Sequence, residues 1–271
     1  MSYFSAYRRR AGALWGGLVL SLFVITACST KDDEGYVERP VDEIYNEANA
    51  ALQNGLHKTA ASLFDEVERQ HPYSKWATQA QLMAAYSYYY GNEYADAVGA
   101  LDRFIQLHPS HKDIPYAFYL KGLSYYEQIS DISRDQRMTE LALKTLNELI
   151  ARFPNSRYAR DAKVKTDLTN DHLAGKDMEV GRYYLIQRHY AAAINRFLIV
   201  IERFETTTHV PEALHRLAEA YHALGLDEEA KKAAAVLGHN FPGSEWYIDS
   251  FQMIEGQTVR AADEDPWYQF W

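Results

Sequence analysis

An all-α fold, a right-handed α-solenoid of five helix pairs, is what this sequence predicts, on three observations. Apolar residues recur with the period of a helix face, a ladder of small and bulky residues repeats five times, and prolines close most of its copies. Order is expected to begin near Val41. Val41, Ile44, Tyr45, Ala48, Ala51 and Leu52 lie three or four residues apart on one helix face, and Asn54-Gly55 stops that helix. A second amphipathic stretch follows and ends at His71-Pro72.

The ladder fixes how such units repeat. It places a small residue, an aromatic three later, an alanine twelve after the first, a bulky residue four further and a proline eight beyond that. Ala85, Tyr88, Ala97, Leu101 and Pro109 form one copy, and Ala218, Tyr221, Ala230, Ala234 and Pro242 another. The first copy is Ala48, Ala51, Ala60, Phe64 and Pro72, with Ala51 in place of the ring. Gly122, Tyr125, Ala142, Leu146 and Pro154 fit once eight residues are inserted between the two helices, and Gly181, Tyr184, Ala193 and Phe197 end on Glu205 where the proline would stand. The small positions let helices A and B of a pair approach closely, and the proline ends helix B. Leu217-Ala218-Glu219-Ala220-Tyr221, followed by Leu224-Gly225-Leu226-Asp227-Glu228-Glu229-Ala230, resembles the tetratricopeptide repeat. Stacking such units gives a concave groove.

Two irregularities interrupt the period. One is the insert around Ser130 to Arg137; the other is the long interval between Pro154 and Gly181, which predicts an added helix around Ser156 to His172. The array therefore divides into repeats 1–3 over 41–154 and a bridging helix with repeats 4–5 over 155–243. A tail over 244–271 carries Asp263-Glu264-Asp265 and ends Pro266-Trp267-Tyr268-Gln269-Phe270-Trp271. Disorder is the default for such an end, and its aromatic cluster is a candidate placeholder for the groove.

Ahead of the repeats, Arg8, Arg9 and Arg10 precede an apolar run from Ala11 to Ala27 that reaches Cys28. That is the layout of an export signal, and Ile25-Thr26-Ala27-Cys28 matches the bacterial lipobox. Residues 1–27 read as a lipoprotein signal peptide and Cys28, the only cysteine, as the acylated residue. The other reading, a transmembrane anchor, has only a short glycine-containing run to span the bilayer. Ser29 in place of an aspartate favours the outer membrane. Residues 28–40 are charged, contain Gly35 and Pro40, and read as a flexible tether.

Removing residues 1–27 deletes three arginines and no acid, taking the formal charge from −9 to −12, a surface that repels nucleic acid. No G-x-S-x-G, G-x-G-x-x-G, P-loop or H-E-x-x-H pattern is present, so an enzyme is not expected. The ten histidines are scattered, and His108 and His111 flank a turn, so no metal or cofactor is expected beyond the lipid on Cys28. The acidic pairs Asp65-Glu66 and Glu228-Glu229 read as solvated faces. The ladder absorbs Tyr88, Tyr125, Tyr184 and Tyr221 as packing residues. Tyr89, Tyr90, Tyr126 and Tyr183 are left as candidates for a peptide groove that grips extended aromatic segments.

Longer stretches carry a closer resemblance. Leu101-Asp102-Arg103-Phe104-Ile105-Gln106-Leu107-His108-Pro109-Ser110-His111, Tyr119-Leu120-Lys121-Gly122-Leu123, Ser133-Arg134-Asp135-Gln136 and Phe153-Pro154-Asn155-Ser156-Arg157-Tyr158-Ala159-Arg160-Asp161-Ala162 resemble the BamD family, the lipoproteins of the outer-membrane β-barrel assembly machinery. The resemblance covers about residues 25 to 240. It implies a non-catalytic protein on the periplasmic face of the outer membrane, with the barrel insertase, its accessory lipoproteins and unfolded outer-membrane proteins as partners. The family's Asn-Arg pair on helix B of the fourth repeat matches Asn195-Arg196, which marks Arg196 as the candidate insertase contact. Two rivals from other envelope systems are a repeat partner of Tol-Pal and a lipoprotein activator of cell-wall synthesis.

Overall fold

Pro72, Pro154 and Pro242 are each followed two residues later by a serine, and each serine starts a helix. Ser74, Ser156 and Ser244 are N-caps whose hydroxyls accept from the amides of Ala77, Ala159 and Tyr247 at 3.1–3.2 Å. The computed structural model describes residues 38–255, so residues 1–27, Cys28, most of the tether and the terminal aromatic cluster lie outside the described residues.

Eleven helices follow in order among the described residues: α1 (Val41–Gln53), α2 (His57–Gln70), α3 (Lys75–Tyr90), α4 (Tyr94–Leu107), α5 (Ile114–Tyr126), α6 (Arg137–Arg152), α7 (Arg157–Ile186), α8 (Tyr190–Arg203), α9 (Val210–Ala223), α10 (Asp227–Asn240) and α11 (Glu245–Ile254). Each odd helix up to α9 is a helix A packed on the helix B that follows it. Consecutive A helices also touch, whereas no two B helices do among the described residues. Each B helix also packs on the next A helix, and because A helices approach one another while B helices do not, the stack curves with the A helices on the inner, concave face.

The ladder explains the pairing. Its alanines on helix B, Ala60, Ala97, Ala142, Ala193 and Ala230, are buried, as are Phe64, Leu101, Leu146, Phe197 and Ala234 four residues later. The small residue on helix A faces that second position. A Cβ on Gly122 would stand 2.6 Å from Leu146 Cδ2, and one on Gly181 2.4 Å from Phe197 Cε1. Glycine at these two sites is therefore a requirement of close approach. In four pairs the turn from A to B passes through a left-handed residue: Gly55, Asn92, Arg188 and Gly225, with φ between 59° and 74°. Glycine adopts that backbone freely, whereas a residue with a β-carbon is disfavoured there by about 1 kcal/mol.

Three sequence expectations need correction. The helix expected to end near His172 runs on to Ile186, because no proline interrupts it; the bridge and helix A of the fourth pair are one 30-residue helix. Its first half packs Tyr158 and Ala162 into the core of the third pair, and its second half gives Leu173, Ala174, Met178 and Leu185 to the fourth and fifth. The tail does not start as disorder at Ser244, since α11 packs on α9 and α10 with Trp246 and Tyr247 against Leu214, Leu237 and Phe241. Asp65 is not a solvated acid: it accepts from Tyr88 Oη at 2.5 Å across the first two pairs, and burial raises its pKa.

The insert keeps its expected place, as residues 127–136 between α5 and α6. It folds onto the middle of α7, where Lys176 Nζ donates to the Ser133 carbonyl at 3.3 Å. The loop before α9 reaches the same stretch, with Thr208 N and Oγ1 both donating to Asp171.

Candidate protein-binding surfaces

Tyrosines spaced three or four apart on successive A helices come together on the inner face. On α3, Tyr86, Tyr89 and Tyr90 form a ring cluster with centroids 4.5 Å apart for Tyr86–Tyr90 and 5.3 Å for Tyr89–Tyr90. On α5, Tyr116 and Tyr119 both stack near Tyr158 of α7, at 5.3 and 5.2 Å. The hydroxyls are held by acids: Tyr119 donates to Asp161 at 2.5 Å and Tyr89 to Glu127 at 3.3 Å. Burial first, and for Tyr89 and Tyr119 the neighbouring carboxylate next, raises the pKa of Tyr89, Tyr116 and Tyr119, so the phenols stay protonated. The surface is thus apolar in body and hydrogen-bonding at its tips, as suits an extended aromatic segment.

Of the four candidate groove residues, Tyr89 and Tyr90 lie in this cluster. Tyr126 makes no ring contact with the cluster but follows Tyr119 by two turns of α5, with Lys165 Nζ, which pairs with Asp161, 4.9 Å from its ring centroid; Tyr183 is exposed at the end of α7 beside Tyr184. Sequence reasoning passed over Tyr86, Tyr116, Tyr119 and Tyr158. The signal was present in the i, i+3 tyrosine pairs 86/89 and 116/119 on neighbouring A helices, off the ladder face.

The second surface is on α8. Asn195 is exposed there, and Arg196 Nη1 donates to Asp177 Oδ1 of α7 at 2.9 Å while its side chain stays 42% exposed. An ion pair to a buried-side acid aims the guanidinium and leaves its other edge available to an incoming carboxylate. Beside it the inner face is charged rather than aromatic. Arg182 of α7 holds both carboxylate oxygens of Glu212 on α9 at 2.9 Å, and Arg216 bonds Glu219 at 2.9 Å. Arg216 also covers Trp246 of α11, next to buried His215, whose Nδ1 lies 2.8 Å from Ser250 Oγ. Burial, and then the charge of Arg216, push the His215 pKa down to about 3. Among the described residues no group of three or more His, Cys, Asp or Glu is placed to hold a metal ion.

Comparison with known proteins decides the family. The model of the family described as outer membrane lipoprotein, YfiO, matches residues 37–237. The chain belongs to this family. It is 51% identical to the outer membrane protein assembly factor BamD of Caulobacter vibrioides over 84% of this chain and 75% of that one. It is 45% identical to the protein of that name from Rickettsia prowazekii, over 88% and 94% of the two chains. With that of Neisseria meningitidis serogroup A it shares 33% over 94% and 96%. The match covers the first four helix pairs and all but the last three residues of the fifth, so both surfaces fall inside the region shared with the family.

Proposed function

We propose that this chain is a non-catalytic, lipid-anchored scaffold on the periplasmic face of the outer membrane, which holds the barrel insertase on one surface and unfolded barrel precursors on another. Its family makes it an outer-membrane protein assembly factor. The finer reading assigns anchoring to acylated Cys28, insertase contact to Asn195 and Arg196 on α8, and precursor binding to the inner tyrosine face. It requires no cofactor other than the lipid. The observation that carries it is the tyrosine cluster shared by α3, α5 and α7, because it is a contiguous, concave, aromatic surface that no ladder position explains.

Two variants of the mature chain test the assignment. Arg196→Glu should lower recovery of the insertase by at least about tenfold, as expected for a reversed charge at a contact, and leave binding of a precursor's closing-strand peptide unchanged. Tyr89→Ala combined with Tyr119→Ala should do the reverse. Helical circular dichroism confirms that both fold. If either folded variant keeps both partners at wild-type affinity, the surface it alters is wrongly assigned.

A further inference from the structure

The edge formed by the A-to-B turns of the fourth and fifth pairs lies one helical turn from Asn195 along α8, through Ala191 and Ala192. Between these turns lies an open cleft of about 490 Å³ lined by Tyr184, Arg188, His189, Tyr190 and Leu224, among others. Its rim is apolar: Ile186, Leu224 and Leu226 are about half exposed, and Tyr183 more so. Large apolar side chains gathered on one edge mark an interaction site more often than scattered ones do.

Arg188 gives that cleft a sign. It occupies the left-handed turn position that Gly55, Asn92 and Gly225 take in the other pairs, with φ 60°. A long cation there carries backbone strain that glycine or asparagine relieves, and such strain persists where the side chain has a use. Among the described residues the Arg188 side chain has no hydrogen bond or ion pair, only its backbone N–H donating to the Leu185 carbonyl at 2.9 Å, and no carboxylate lines the cleft. The acids that follow Leu226, Asp227, Glu228 and Glu229, pair with His222, Lys231 and Lys232, which leaves Arg188 a basic spot against aromatic walls.

We propose that this cleft is a docking site for an acidic segment of a partner protein, one in which a carboxylate side chain is followed by an apolar or aromatic residue. Arg188 takes the carboxylate as a forked donor, and the apolar side chain fills the space between Tyr184, Tyr190 and Leu224. The inference stands apart from the assignment of Arg196 and of the tyrosine face.

The mature chain is titrated with fluorescein-labelled N-acetyl-Glu-Leu-Glu-Phe amide and with its Gln counterpart. The acidic peptide should bind about tenfold more tightly at low salt, and the preference should fade near about 0.5 M salt. Arg188→Gly should abolish the preference while raising Tm by about 2–4 °C, because glycine relaxes the turn. Arg188→Lys should retain part of the preference, and Arg196→Glu all of it. Equal binding of the two peptides, no saturable binding of either up to about 5 mM, or an Arg188→Gly variant that keeps the preference would overturn the proposal.

Discussion

The first three helix pairs and the last two share one ladder and one pairing geometry, yet their inner faces are built from different chemistry. In the first half, neighbouring A helices meet through rings: Tyr116 and Tyr119 of α5 against Tyr158 of α7. In the second half they meet through charge, with Arg182 of α7 on Glu212 of α9. The difference shows that a solenoid's framework and its inner surface are separable. The ladder positions point between A and B and tolerate only size changes, while the off-ladder face of helix A is free to carry either binding rings or ion pairs.

The largest effect should come from breaking the charged side. Glu212→Ala removes one partner of Arg182 and one neighbour of Arg216, two guanidiniums less than a fifth exposed, and should destabilise by about 3 kcal/mol in denaturant unfolding. A loss under about 0.5 kcal/mol, the size of an exposed pair, would mean that the two halves do not differ in this way.

Acid should separate the halves next. His215 takes up a proton near 6.5 when unfolded but only near pH 3 when folded, so between those values the unfolded state binds more protons. Stability around α9 and α11 is therefore full above pH 6.5 and falls as pH drops, on the order of 1 kcal/mol per unit. Asp65 has the opposite sign: its raised pKa lets the folded state bind a proton first, so this contribution near α2 and α3 grows as pH falls. Hydrogen exchange at pH 7 and pH 4.5 should show deprotection concentrated at α9–α11, and His215→Phe should remove it.

Glycine substitutions sharpen the contrast within the shared framework. Gly181→Ala drives a methyl into the rigid ring of Phe197 and should cost about 2 kcal/mol, whereas at Gly122 the clash is with the terminal atoms of Leu146, which can rotate, and the cost should be about half that. Thermal unfolding of the two variants measures the difference. The smallest effect belongs to Tyr119→Phe. It removes only the hydrogen bond to Asp161 and should destabilise by about 0.5 kcal/mol while leaving the ring stack, so peptide binding should fall less than with Tyr119→Ala.

The helix pairs were legible because each rests on local signals: apolar period, small residues at fixed spacing, and prolines with a serine cap two residues on. The insert was legible for the same reason, as eight residues too many between Gly122 and Ala142. What was missed involved residues far apart in the chain. Asp65 reads as a surface acid until α3 brings Tyr88 to it, and the tail reads as loose until Trp246 and Tyr247 of α11 find Leu214 and Leu237. Which tyrosines join the ring cluster depends on neighbouring helices, so the meeting of Tyr116 and Tyr119 with Tyr158 has no signal in their order along the chain.

Alone, the sequence determined that the chain forms five phased helix pairs and which residues lie between A and B, since helix periodicity and steric size are properties of a few successive residues. It also supplied the resemblance that family comparison later established. Only the tertiary structure decided that bridge and repeat fuse into one helix, that α11 closes the array, and which tyrosines, ion pairs and turn residues share a surface. Those outcomes depend on distances between segments tens of residues apart, set by the cumulative stacking of the pairs.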